Sequence, residues 1–287
     1  MIKSMTAYAD AEAIVQDLAW SCELRSVNHR YCDISVKLPE RLRFAEMDLR
    51  RMIGDRVKRG KIECCFSFKK IANARPLAVN YDLVAVLLEA AADIEGRMLQ
   101  SRPFSALEVL AFPGVQQENE WDKQQLLQTL LELLTKALED LLAARAREGA
   151  QIKDLLLERG RKMTHLVNAA QGRMPEVMQG LRQKFMLRIA ELAREPEADR
   201  LEQELLLWAQ KLDVSEELDR LALHINEVAH SLGQSEPVGR RLDFLMQEMN
   251  REANTLGSKS ADREMTQISI ELKVLIEQMR EQVQNIE

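Results

Sequence analysis

Aromatic residues make up only 5% of the 287-residue chain, which also holds four cysteines, seven prolines and eleven glycines. So few aromatics leave little stacking surface for nucleobases. The cysteines, Cys22, Cys32, Cys64 and Cys65, form no C-x-x-C pair, which sets aside a zinc ribbon or a redox dithiol and leaves them as reduced residues of core or sheet. Proline and glycine occur as isolated breaks, with no low-complexity segment and no internal repeat. No apolar run approaches the 18 residues of a membrane span, and the opening MIKSMTAYADAEA lacks the apolar core of a signal peptide. A cytoplasmic protein with no membrane partner is expected. There is no G-x-x-x-x-G-K-[ST], G-x-G-x-x-G, G-x-S-x-G or H-E-x-x-H, so nucleotide hydrolysis and nucleophilic acyl transfer lose support.

What is present is enough apolar residue, 46%, to bury a sizeable core in one large domain or two ordinary ones. The net charge of -6 hides an asymmetry: Glu23 to Arg75 carries 14 Lys/Arg against 7 Asp/Glu. A polyanion can therefore bind an acidic chain by meeting this segment, although the same charges also serve as an ordinary solvated surface. Leu18, Trp20, Cys22 and Leu24, then Cys32, Ile34, Val36 and Leu38, then Ile62, Cys64, Phe66 and Phe68 alternate with polar neighbours, which predicts three half-buried strands. Between the last two, Leu42, Leu49, Ile53 and Val57 recur at helical spacing, with Gly60 placed as the helix stop. Beyond Ala78 the pattern is helical: a helix near 81–98, a short one before FPGV, a long one from about 122 broken near Gly160 or Gly172, and others bounded by Pro175, Pro196 and Pro237. The expected class is α+β. Residues 1–78 form a β-rich unit with one helix, 79–196 a helical middle region, and 197–287 a helical C-terminal region.

The last helix repeats Met265, Ile268, Leu272, Leu275 and Met279 in steps of three and four, a seam that wants a partner helix within the chain or in another subunit, with Ser260 and Asp262 supplying its cap and first-turn charge. In GRRLDFLMQEMNREANTLGSKS, residues 239–260, the polar positions fall on two flanks of an apolar stripe. With Leu242 at zero, Asp243, Gln247, Asn250 and Asn254 lie at roughly +80° to +140°, and Arg241, Glu248 and Glu252 at roughly -80° to -120°. Asn and Asp are weak helix formers, so their repetition asks for a compensating contact: a polar ligand, a metal-bound water or a partner. Glu248 and Glu252, four apart, can reach one cation, and Arg241 suits a phosphate, while an ion-paired solvated face explains the same residues without a ligand. One helix earlier, Asp213 and Glu216 resemble a capping box, and Glu217 and His224, seven apart, share a face and suit metal ligation. In ELRSVNHRY, Asn28 and His29 read as a turn between two strands, setting Arg25, Arg30 and Tyr31 at a hairpin tip near Arg59 and Lys61. Cations beside an aromatic suit single-stranded nucleic acid.

At these segments the chain resembles the bacterial YicC family along its whole length, through MIKSMTAYA, ELRSVNHRY, LPERLR, RGKIEC, PGV, RLEQELLLWAQKLDVSEELDRLALH, GRRLDFLMQEMNREANTLGSKS and ELKVLIEQMREQVQNIE. The resemblance implies an endoribonuclease that depends on a divalent metal, manganese in particular with magnesium as the substitute, and that assembles as a homo-oligomer, a hexamer. On that reading Arg25, Asn28, His29, Arg30, Tyr31, Arg59 and Lys61 bind RNA. Glu217, His224, Glu248 and Glu252 hold the metal, and His224, Arg241, Lys259 and Asn250 serve catalysis. A non-catalytic RNA-binding or adaptor scaffold is the alternative.

Overall fold

The computed structural model describes residues 2–15, 18–71, 78–98, 100, 102–116, 122–191, 213–234, 238–260 and 262–287, without the side chains of 70, 185 and 188–191. The architecture is α+β. Strands β1 (Ala7–Val15), β2 (Leu18–Val27), β3 (Cys32–Lys37) and β4 (Gly60–Lys70) form one sheet in the order β1-β2-β4-β3, with β3 parallel to β4 and the other pairs antiparallel. A 3₁₀ turn at Glu40–Ala45 leads into α1 (Glu46–Arg56), followed after β4 by α2 (Tyr81–Glu95), α3 (Ala106–Ala111), α4 (Lys123–Glu191), α5 (Ser215–Ser231), α6 (Gly239–Lys259) and α7 (Arg263–Val283).

One sheet face is apolar: Ala9, Ala11, Trp20, Cys22, Leu24, Ile62, Cys64 and Phe66 are buried with Leu49 and Ile53 of α1 and with Leu130, Leu134, Ala137, Leu138 and Leu141 of α4. Trp20 and Phe68, paired across β2 and β4, bring their rings to 5.1 Å. The three anticipated strands are present, and β1 joins them. Cys22 and Cys64 are buried, whereas Cys32 and Cys65 are exposed, Cys65 on the open face and Cys32 on the edge strand β3. Contact with Cys64 and burial push the Cys22 thiol far above its usual range, which leaves it unreactive.

Several local expectations are corrected. Asn28 and His29 do not close a hairpin, because β4 lies between β2 and β3; the 28–31 segment instead crosses the start of β4. Gly60 does not stop α1, which ends at Arg56 with Val57 extended. Gly60 opens β4 at φ 107°, a left-handed conformation that favours glycine, where its N–H bonds to Tyr31 O at 3.2 Å. Nor does α4 break at Gly160 or Gly172, and Pro175 lies inside it rather than at a boundary. A helix-interior proline forfeits a backbone bond and costs about 3 kcal/mol, yet packing on both sides of it holds: Val167 and Ala170 before it are buried, and Met174 and Val177 around it pack on the same core. Pro196 and Pro237 lie outside the described residues.

The second core joins Ile152, Leu156, Met163, Val167 and Ala170 of α4 to the apolar faces of α5, α6 and α7. The α7 seam finds its partner within the chain. The buried positions are Met265, Ser269, Leu272, Ile276, Met279 and Val283, so Ile268 and Leu275 flank the seam instead of filling it. Ser269 is admitted because its hydroxyl donates to Ala253 O at 2.9 Å and because Gly257 opposite leaves room, a Cβ there falling 2.5 Å from Ser269 Oγ. Asp262 itself caps α7, accepting from Glu264 and Met265 N–H at 3.1 Å each, while Ser260 Oγ accepts from Asp262 N–H at 3.3 Å. The supposed capping box before α5 reduces to Asp213 accepting from Ser215 N–H at 2.9 Å.

Chain ends and sheet meet at Arg145, which is 1% exposed. Its guanidinium donates to Ser4 O, to Glu287 Oε2 at 2.8 Å and to Arg59 O at 3.5 Å.

Candidate active site between α5 and α6

Helices α5 and α6 run antiparallel, and their shared seam buries Leu218, Leu221, Ile225 and Val228 against Leu242, Leu245, Met249 and Leu256. Along one edge of this seam the polar residues of α5 step by three and four, a pattern that keeps them on one helix face. Glu217 Oε1 meets Lys259 Nζ at 2.7 Å, Arg220 Nη1 meets Glu252 Oε1 at 3.4 Å, and Glu227 Oε1 meets Arg241 Nη2 at 2.5 Å. As the α5 number rises the α6 number falls in step, so His224 and Glu248 occupy the register between the Arg220–Glu252 and Glu227–Arg241 rungs. Both are half-buried and neither has a hydrogen bond or ion pair with a described residue. The ladder is charge-compensated at three rungs and open at the fourth.

Burial varies along it. The side chains of Glu217 and Glu252 are 10% and 5% exposed, against 53% for Arg241. Glu217 Oε2 is buried with no hydrogen-bond partner among the described residues, so its carboxylate is only half satisfied. Lys259 also donates to Asp213 O at 3.0 Å, tying the end of α6 to the start of α5. The hydrogen bond from Ser215 N–H, helped by Lys259, holds the Asp213 carboxyl below the usual carboxylate range, and Glu252 with Glu216 raises the already high pKa of Arg220. Glu216 and Glu252 thus share one guanidinium, at 2.5 and 3.4 Å.

Sequence reasoning gathered Glu217, His224, Glu248, Glu252, Arg241 and Lys259, and the fold sets all six along this edge. It missed Arg220 and Glu227 as members, although the 217, 220, 224, 227 spacing on α5 carries them. Asn250 lies on the other side of α6, where Asn254 Nδ2 donates to its Oδ1 at 2.8 Å. Among the described residues no three His, Cys, Asp or Glu side chains converge as a metal shell, so Glu217, His224, Glu248 and Glu252 are strung along the edge rather than focused on one point.

The basic segment gathers at the 28–31 crossover. Arg59 Nε donates to His29 O at 3.4 Å, Arg30 lies 5.5 Å from the centroid of the Tyr31 ring, and Tyr31 itself is 64% exposed. His29 Nδ1 accepts from Tyr31 N–H at 3.3 Å, and Asn28 Nδ2 donates to Gln284 O at 2.7 Å, fixing the crossover to the end of α7. Lys61 pairs with Glu63 at 3.5 Å, and Arg25 stands exposed on the open sheet face, opposite Tyr8 and Glu63. The crossover adjoins α6: a Cβ on Gly239 would lie 3.7 Å from Arg59 Nη1. A groove of about 850 Å³ between α4 and α7, lined by Leu166, Ile270, Val274 and Leu275 among others, contains none of these residues.

Comparison with known proteins covers the whole length of the chain. Residues 2–154 match the family model "Endoribonuclease YicC-like, N-terminal region", and residues 170–287 match "Endoribonuclease YicC-like, C-terminal". The chain is 40% identical over 291 residues to a protein of Haemophilus influenzae named "Probable endoribonuclease YicC", and 31% identical over 294 residues to one of the same name from Clostridioides difficile, with all of each chain covered. With both of its parts matched and full-length relatives at this identity, the chain belongs to the YicC-like endoribonuclease family.

Proposed function

We propose that the chain cleaves RNA phosphodiester bonds at the α5–α6 edge with the help of a divalent cation, manganese or magnesium. The observation that carries this reading is the open rung: on an edge where the other acids have a cation, His224 and Glu248 fall between the Arg220–Glu252 and Glu227–Arg241 pairs with no ion-pair partner among the described residues. An imidazole and a carboxylate, with Glu252 one turn along α6, suit manganese in donor type, and the half-satisfied Glu217 leaves further carboxylate capacity nearby. A bound cation would supply a water of lowered pKa or polarise the phosphoryl group. Within the chain, Lys259 and Arg241 place positive charge at the two ends of the edge, where charge on the phosphoryl oxygens is stabilised. His224 either ligates or transfers a proton to or from the ribose or leaving oxygen, with Glu248 orienting its ring.

RNA reaches this edge from the basic crossover, where Arg30, Arg59 and the exposed Tyr31 combine charge with a stacking face beside the N-terminus of α6. Cytoplasmic residence and a hexameric assembly complete the proposal. The exposed apolar side chains of the α2–α3 arm support self-association: both helices bury no residue, and Tyr81, Val86, Ile94, Met98, Phe104, Leu107 and Phe112 are 43–76% exposed. Together they offer on the order of 700 Å² of apolar side chain, close to the roughly 800 Å² a partner gives to a standard interface.

A second reading, a non-catalytic RNA-binding scaffold, is favoured by the three closed rungs, which do structural service without any reaction. Incubation of purified protein with single-stranded and hairpin RNA, in manganese and in chelator, separates the two. The nuclease reading expects cleavage in manganese that chelator stops, and a rate loss of about 10²-fold or more in Glu248→Gln and His224→Ala. RNA binding without product in any metal supports the scaffold instead.

A further inference from the structure

The carboxylate edge uses one side of α6, and the opposite side carries its own pattern. Arg240, Phe244, Gln247, Arg251 and Asn254 follow one another in steps of four, three, four and three, a spacing that places them on one outward stripe. Phe244 is 59% exposed, although an aromatic ring on a solvated helix face has no packing to gain. The side chains of Arg240 and Arg251 are exposed, and their guanidinium groups have no hydrogen bond or ion pair among the described residues. Beside the stripe, Gln247, Asn250, Arg251 and Asn254 line a groove of about 410 Å³ closed by Arg280 of α7. Arg280 Nε sits 3.8 Å from Asp243 Oδ1 and is buried with no hydrogen-bond partner among the described residues.

We propose that this stripe and groove bind single-stranded RNA, Arg240 and Arg251 holding the backbone, Phe244 stacking a base, and Gln247, Asn250 and Asn254 bonding base edges. The amides are free to do so. Among the described residues their side chains bond to neighbours on their own helix, Gln247 to Asp243 at 3.0 Å and Asn254 to Asn250 at 2.8 Å. Each amide has two donors and a two-lone-pair acceptor, so spare groups remain on every one. Successive amides, three and four residues apart, rise about 4.5 and 6 Å, both wider than the ~3.4 Å spacing of stacked bases, so the row fits splayed bases and not a duplex. The stripe starts where the crossover ends, since Gly239 adjoins Arg59 and precedes Arg240. Uncompensated arginines at both ends of an aromatic and amide row are complementary to a polyanion with exposed bases, which decides against an apolar partner.

The assignment rests on the ribonuclease reading and adds to it the face that holds substrate away from the reacting edge. Fluorescence anisotropy in chelator, with a labelled 12-nucleotide single-stranded RNA and an abasic ribose-phosphate 12-mer, tests it. Phe244→Ala is expected to weaken the RNA about 5- to 100-fold while leaving the abasic strand unchanged. Arg240→Ala combined with Arg251→Ala is expected to weaken both strands and to lower the salt slope by about 1.4. Unaltered RNA affinity in these variants, with the wild type binding, overturns the stripe alone; a wild type that binds no RNA overturns both readings. Variants that keep RNA affinity but change the sedimenting mass would make the stripe a subunit contact and overturn it as well.

Discussion

Lys259 holds two parts of the molecule at once, the buried carboxylate of Glu217 and the Asp213 carbonyl just before α5. Because Glu217 Oε2 already lacks a partner among the described residues, Lys259→Met leaves a buried carboxylate with neither oxygen engaged by them. The expected cost is about 1–3 kcal/mol, read as a drop of several degrees in thermal melting; Glu217→Gln in the same chain should recover most of it. Equal melting of Lys259→Met and wild type would show the pair to be energetically idle. At the other helix start, burial would raise the Asp262 carboxyl, but the N–H groups of Met265 and Glu264 and the Arg173 guanidinium hold it below its usual range. A depressed folded pKa stabilises fully above the unfolded value near 4 and is lost as pH falls through the folded one. Denaturant midpoints taken downward from pH 5 should therefore fall for the wild type, and Asp262→Asn should flatten that acid limb. These pairings illustrate what was legible residue by residue. Glu217, His224 and Glu248 stood out by spacing, whereas the partners that neutralise Glu217 and Glu252 depended on how two helices cross, which one helix's periodicity does not contain.

Helix α4 shows glycine in two energetic settings when set beside α6. Gly172 meets nothing within 4 Å, whereas a Cβ at Gly257 lands on Ser269 Oγ at 2.5 Å. The same change to alanine should act with opposite sign: Gly172→Ala stabilises by about 0.5–1 kcal/mol through helix propensity, and Gly257→Ala destabilises by about 1–3 kcal/mol by overpacking. Chemical denaturation of the two variants checks the pair, and a shared sign would refute the packing of α6 on α7 described above. Breaks expected at Gly160, Gly172 and Pro175 failed for a related reason: local cost is a property of one residue, and burial on either side of it outweighs it. The unread strand β1 has the complementary explanation. Its inward residues Ala9, Ala11 and Ala13 are weak strand formers, chosen small so that α4 can lie close against the sheet.

At the scale of the whole molecule, α4 is about 100 Å long and serves the sheet core with Leu130–Leu141 and the helical core with Ile152–Ala170. Class and strand content were readable because alternation and helical periodicity are local. The order β1-β2-β4-β3 was not, since inserting β4 between β2 and β3 depends on pairing across some thirty residues. No helix of the described residues is long and apolar enough to cross a membrane.

The meeting of residues 3–5 with residues 285–287 beside Arg145 closes the chain between them into a loop. Lys3 and Glu287 exchange backbone hydrogen bonds at 2.8 and 3.4 Å, Met5 N–H bonds to Asn285 O at 2.7 Å, and Ser4 bridges Ile286. Residues 3–5 and 285–287 are thus neighbours in a two-stranded seam, and closing the loop between them orders a long stretch of chain at a cost that grows only as the logarithm of its length. The consequence is topological. Among the described residues the sheet unit and the helical bundle are joined covalently through α4 and also through the hydrogen-bonded seam and the Asn28–Gln284 bond, so hinging of one against the other must break these non-covalent ties as well as bend the helix.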